Sequence, residues 1–164
     1  MHRCPCLLRV GLAVSLAAAT AAMAAEPPRE LRFADFFVSP IGPRGLQPTP
    51  TLLAAAGQRV RITGFMVAQE QPQPGRFFLA PLPLVMSEHA DGEADDLPPS
   101  TVVVIMPLAE RAITLPHTRG LLQLTGTLKL GREELDDGRV SWLRLLLEPA
   151  VGITPEPETS NKQP

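Results

Sequence analysis

Apolar positions recur along this chain in two rhythms, and each predicts a different element. The run Thr49-Pro50-Thr51-Leu52-Leu53-Ala54-Ala55-Ala56-Gly57 places a capping hydroxyl before a proline at the first helical position, then helix formers, then a glycine, which predicts one two-turn helix. Everything after it follows the period of two that marks half-buried strands. In residues 58–70, Val60 and Ile62 alternate with Arg59 and Arg61 until Gly64 interrupts, and the pattern resumes through Phe65, Met66 and Val67. Turn residues 71–75 (QPQPG) join this strand to a second at 76–82, a hairpin signal. Residues 101–106 (TVVVIM) are β-branched and apolar on both faces, as expected of a central strand. Leu122, Leu124, Gly126, Leu128 and Leu130 share one face of the next strand, at 120–131. Asp137-Gly138 then predicts a turn into the last, at 139–148.

Five strands after one helix, two of them broken by a glycine, predict a mostly β domain: a small five-stranded OB-like barrel, with an open antiparallel sheet carrying the helix as the rival architecture. A glycine within a long strand is a device for bending it around a barrel, which favours closure. Leu124 and Trp142, one on each of the last two strands, are expected in the core. Residues 26–48 carry prolines at 27, 28, 40, 43 and 48 and form an extended lead-in. Its Leu31, Phe33, Phe36, Phe37 and Val38 are too apolar for a free linker and are expected to lie across the barrel. The barrel itself is expected over 49–150, followed by a polar disordered tail at 151–164.

Composition changes the picture mainly at the N-terminus. Arg3 and Arg9 precede an apolar stretch from Val10 to Ala22, closed by Ala22-Met23-Ala24, the small residues of a cleavage site. Residues 1–25 therefore read as a signal peptide and the protein as exported to the periplasm. The apolar stretch is too short to span a bilayer, so no stable membrane insertion is expected after cleavage. Cleavage would remove both cysteines, Cys4 and Cys6, and with them any disulfide, thiol nucleophile or Cys-rich zinc site. It would also deepen the mild excess of 17 Asp plus Glu over 15 Lys plus Arg, which argues against a nucleic-acid partner.

The motif GxxVRIxGFMV, at 57–67, together with the RFFLAP strand, the proline-ended loop and the GTL strand, resembles a group of small exported bacterial proteins of unknown function. The resemblance spans residues 57–131 and implies an OB-like barrel. Members carry a Cys-x-His in the loop before the central strand, where this chain has Ser87-Glu88-His89. The missing cysteine weighs against a thiol or zinc role for that motif here.

Candidate chemistry is sparse. No serine sits in a nucleophile-elbow or Ser-x-x-Lys setting, the paired acids Asp95-Asp96 and Asp136-Asp137 fall on expected loops, and no glycine-rich phosphate loop occurs, so no enzyme is expected. Arg59, Arg61, Arg76 and Arg144, with Lys129 and Arg139, are candidates for a basic binding face interleaved by Trp142 and Phe78; alternatively they are only the wet side of half-buried strands. His89, Asp91, Glu93, Asp95 and Asp96 crowd one acidic loop and are the candidate metal ligands, against the plainer reading of a solvated loop. Met66, Met86 and Met106, with His89 and His117, are donors suited to copper(I), or simply core filler. No cofactor is expected apart from a possible divalent metal. The expected function is that of a monomeric, non-catalytic periplasmic binding or accessory module for an envelope protein or transport system, the alternative being a small metal-handling protein using the His89 loop.

Overall fold

Period-two sequence becomes nine strands and one helix. A computed structural model describes residues 26–86, 97–149 and 153–155, and the expected metal loop containing His89, Asp91, Glu93, Asp95 and Asp96 lies outside them. In chain order the elements are β1 (Arg29–Glu30), α1 (Pro50–Ala55), β2 (Arg59–Met66), β3 (Ala68–Gln69), β4 (Arg76–Ala80), β5 (Val85–Met86), β6 (Val102–Ile105), β7 (Leu121–Glu134), β8 (Val140–Leu147) and β9 (Ile153–Pro155).

The five strands read from the sequence correspond to β2, β4, β6, β7 and β8, which form a ring: β2-β4-β6-β8-β7, closed by an antiparallel β7–β2 ladder from Leu121 to Thr127. Four junctions are antiparallel, and β6–β8 is parallel. That order is OB-like, but the ring is not a clean barrel. The β2–β4 junction holds through two residue pairs, Phe65 with Ala80 and Met66 with Leu79. Along the rest of that edge the lead-in takes over: Arg29 and Glu30 pair in parallel with Val60 and Arg61, and the Leu31 amide donates to the Arg61 carbonyl at 2.9 Å. Residues 26–48 are thus packed onto the ring, with Leu31 and Phe36 fully buried among the β2 and β7 side chains. Residues 153–155, within the expected tail, pair with Leu122 to Leu124 of β7.

Alternation fills the interior. Val60 and Ile62, Phe77 and Leu79, Val102 and Val104, Leu124 and Leu128, and Leu143 and Leu145 all point inward, two from each strand. Leu124 is buried as expected. Thr49 caps α1 by accepting from the Leu52 amide at 3.1 Å, Pro50 opens it, and Gly57 leaves it at φ 74°. Leu52 and Ala55 turn into the core near Leu128, whose carbonyl accepts from the Gly57 amide at 2.7 Å, so the helix covers one end of the ring. The apolar outer side of β4 and β6 is buried as well. Phe78, Ala80 and Val103 lie under Met86, Leu84, Leu97 and Leu135 in a second, smaller core. This explains why β6 reads as apolar on both faces.

One ion pair fastens the chain's two ends at this ring. Arg59 Nε and Nη2 donate to Glu148 Oε1 and Oε2 at 2.6 and 2.8 Å, while Nη1 donates to the Glu26 carbonyl at 3.0 Å. The guanidinium holds the Glu148 carboxyl below its ordinary value, and the carboxylate raises Arg59. A carboxyl lowered in the folded state contributes stability above the ordinary glutamate range and loses it as pH falls through the lowered value. Both side chains are about a third exposed, so the effect is modest. Acid-unfolding curves of the parent should therefore fall more steeply below about pH 4.5 than those of Glu148→Gln; parallel curves would mean that the pair contributes nothing.

Candidate functional site

The site grows from the alternation of β8. Ser141, Leu143, Leu145 and Leu147 are buried, whereas Val140, Trp142 and Leu146 of the opposite parity are exposed. Trp142, expected in the core, is instead 61% exposed. The reason was legible in its spacing: a strand that puts Arg144 on its outer side must put Trp142 there too.

Arg144, read as part of an exposed basic face, is the second correction, for it is only 5% exposed. The pairing of β7 with β8 slips by one residue between Leu130–Leu143 and Glu133–Ser141, so Gly131 and Arg132 bulge opposite Trp142, with Gly131 at φ 117°. Arg144 folds back over this bulge. Its Nη1 donates to the Gly131 carbonyl at 2.8 Å, the Ser141 carbonyl at 3.1 Å and Ser141 Oγ at 2.9 Å, and its Nη2 pairs with Glu133 at 2.9 Å. A buried guanidinium needs such partners. The clamp fixes the backbone on both sides of Trp142.

Two cavities flank the indole, both also bordered by Pro99 and Leu143. One, of about 420 Å³, is lined further by Phe78, Thr101, Val103, Leu135 and Ser141. The other, of about 650 Å³, has an apolar wall of Phe37, Leu46, Pro48, Leu52, Leu53 and Leu130. It is therefore built from three places: the lead-in, α1 and the β7 bulge. Sequence reasoning missed Phe37, Leu46, Leu53 and Pro99 as site residues. Their apolar character was visible, but not that the lead-in would bring 37 and 46 back beside 142.

The remaining arginines do not assemble into one free stripe. Arg59 is held by Glu148, Arg61 by Glu30 at 3.0 Å, and Arg76 by Asp137 at 2.6 Å. Asp137 also lies 3.5 Å from Arg139, which reaches Met86 Sδ at 3.4 Å. Phe78, expected to interleave with them, is buried in the outer core. The face formed by strands two and three of an OB ring is the usual oligonucleotide platform; here its counterpart, β4 and β6, is covered by aliphatic side chains. Among the described residues no group of three or more His, Cys, Asp or Glu stands together. Met86 and Met106 are buried apart from His117, whereas Met66 meets it.

This architecture is similar to the crystal structure of a DUF3299 family protein from Pseudomonas aeruginosa PAO1, with a TM-score of 0.51 at 14% sequence identity over 80% of this chain and 97% of that one. At that identity the likeness concerns the mostly β fold and extends neither to the GxxVRIxGFMV motif nor to export. No family model matches the chain, and no curated protein does.

Proposed function

We propose that the protein is a non-catalytic binding or accessory module of the periplasm that holds an envelope protein or transport component at the Trp142 ridge. One observation carries this reading: a large aromatic side chain stands 61% exposed between two cavities, on backbone fixed by a buried arginine. Tryptophan buries much area for little lost side-chain freedom, which makes it the most enriched residue type at binding hot spots. Cavities of about 420 and 650 Å³ are large enough to take side chains of a partner. The non-catalytic and periplasmic parts of the reading rest on the sequence.

Because Trp142 is exposed, Trp142→Ala should leave thermal stability within about 0.5 kcal/mol of the parent while abolishing binding. A photo-crosslinking amino acid at position 142, introduced into cells, should trap one envelope protein, and Leu53→Asp should abolish the product. The same residue at the exposed Leu108 serves as control. Identical products from 142 and 108 would defeat the proposal. The alternative, metal handling through His89, Asp91, Glu93, Asp95 and Asp96, would be favoured by a saturable calorimetric event with zinc, copper or calcium that His89→Ala with Asp91→Ala removes.

A further inference from the structure

A soft donor pair lies at the end of β2, away from the Trp142 ridge and independent of the reading given to it. Met66 ends that strand, and the link between β6 and β7 returns to it: His117 Nε2 lies 3.1 Å from the Met66 carbonyl oxygen, and the Thr118 amide donates to Met66 Sδ at 3.4 Å. The main chain and the thioether of one residue are thus both bonded to one dipeptide, more than 50 positions away.

The chemistry of the imidazole follows from its partner. A carbonyl oxygen only accepts, so Nε2 carries the proton, and in the neutral ring Nδ1 keeps its lone pair. A ring N–H bonded to a backbone carbonyl, which fixes the tautomer and the ring orientation and leaves the other nitrogen as ligand, is the usual support of a metal-binding histidine. No described group donates to Nδ1, and His117 is exposed. Met66 is 5% exposed, and its sulfur accepts a single weak N–H bond, which leaves a lone pair for a ligand.

We propose that Met66 Sδ and His117 Nδ1 are the protein donors of a low-coordinate site for copper(I). A thioether is a soft ligand that selects copper(I) over zinc, calcium and magnesium, and an imidazole suits the same ion. Harder cations want three or more nitrogen, thiolate or oxygen ligands, and no such group stands among the described residues. The terminal torsions of methionine let the sulfur turn toward the ring without moving the strand.

The test is competition for copper(I) against a chromogenic chelator under reducing conditions, using the full chain with Cys4→Ser and Cys6→Ser so that no thiol takes the metal. One copper(I) per chain is expected, with affinity at least about tenfold lower in Met66→Leu, which keeps the buried volume. His117→Gln should lose the same affinity, because an amide N–H can still reach the Met66 carbonyl but offers no imidazole lone pair. Both variants should melt like their parent, which separates loss of a ligand from loss of structure. A parent that cedes all its copper(I) to the chelator would overturn the site, as would undiminished affinity in His117→Gln. Affinity lost in His89→Ala but kept in the other two would move the metal elsewhere and overturn it equally.

Discussion

Replacing Gly126 with alanine is expected to be among the most damaging single-methyl changes this chain can suffer. Gly126 lies on β7 where three strands meet at one point, paired with Val60 of β2 on one side and Leu147 of β8 on the other. A Cβ there would land against the Leu146 carbonyl, 2.9 Å from its carbon, and 3.1 Å from Leu145 Cγ. The obstruction is backbone, so no rotamer change relieves it, and either the β7–β8 ladder must part or the ring must open. Overpacking against side chains costs about 1 to 3 kcal/mol, and against a paired backbone we expect about 3 kcal/mol or more. In a domain of this size that lowers the melting temperature by roughly 10 °C. Gly42→Ala is the control, with open space around its Cβ and no positive φ, and should stay within about 0.5 kcal/mol of the parent. Similar melting of Gly126→Ala and Gly42→Ala would remove close approach as the reason for the glycine.

Gly126 also marks how far the sequence could be read. Both glycines that break the alternation, 64 and 126, were legible as places where the ring turns. Neither has positive φ, and each is needed because backbone from the neighbouring strand leaves no room: the Ala80 carbonyl oxygen would lie 2.8 Å from a Cβ at 64. The helix, the five strands and their OB-like order followed from local rules, since capping, turn chemistry and period two act within about ten residues. The candidate site did not follow, because its walls come from 37, 46, 53, 99, 130 and 142, brought together only by the closed ring. The arginines misled for a related reason. Outward parity identifies a side chain as facing away from the core, but not as free: Glu30, Glu133, Asp137 and Glu148 had equal claims to that surface. For Arg144 in particular, nothing local signals a bulge two strands' worth of residues away in space from a lone Gly131. Trp142 differs, since its exposure was implicit in the parity it shares with Arg144; the general preference of tryptophan for burial outweighed that pattern in the reading.

The lead-in decides whether that site exists at all, and Phe36 is its anchor. Phe36 is fully buried, its ring 5.1 Å from that of Phe33 and 6.4 Å from that of Phe37 between centroids. Its carbonyl accepts from the Thr49 amide at 2.9 Å, and the Thr49 hydroxyl, which caps α1, donates in turn to the Asp35 carbonyl. Truncating a buried phenylalanine costs about 3 to 5 kcal/mol, a large share of the ~5 to 15 kcal/mol of a typical domain. Phe36→Ala should therefore lower the melting temperature by 10 °C or more, and the loss should reach the cavity beside Trp142, because Phe37, Leu46 and Pro48 of the same lead-in wall it. Trp142 is the chain's single tryptophan, so its emission reports on that wall directly. At a temperature where Phe36→Ala is still folded, its emission should shift to the red and crosslinking from position 142 should fall. Phe37→Ala separates the two roles. Phe37 is only half-buried, so its removal should cost less stability while opening the same cavity and shifting the same emission. A Phe36→Ala protein that melts within about 2 °C of the parent would show that the lead-in merely rests on the ring, and unchanged emission in both variants would detach the Trp142 cavity from it.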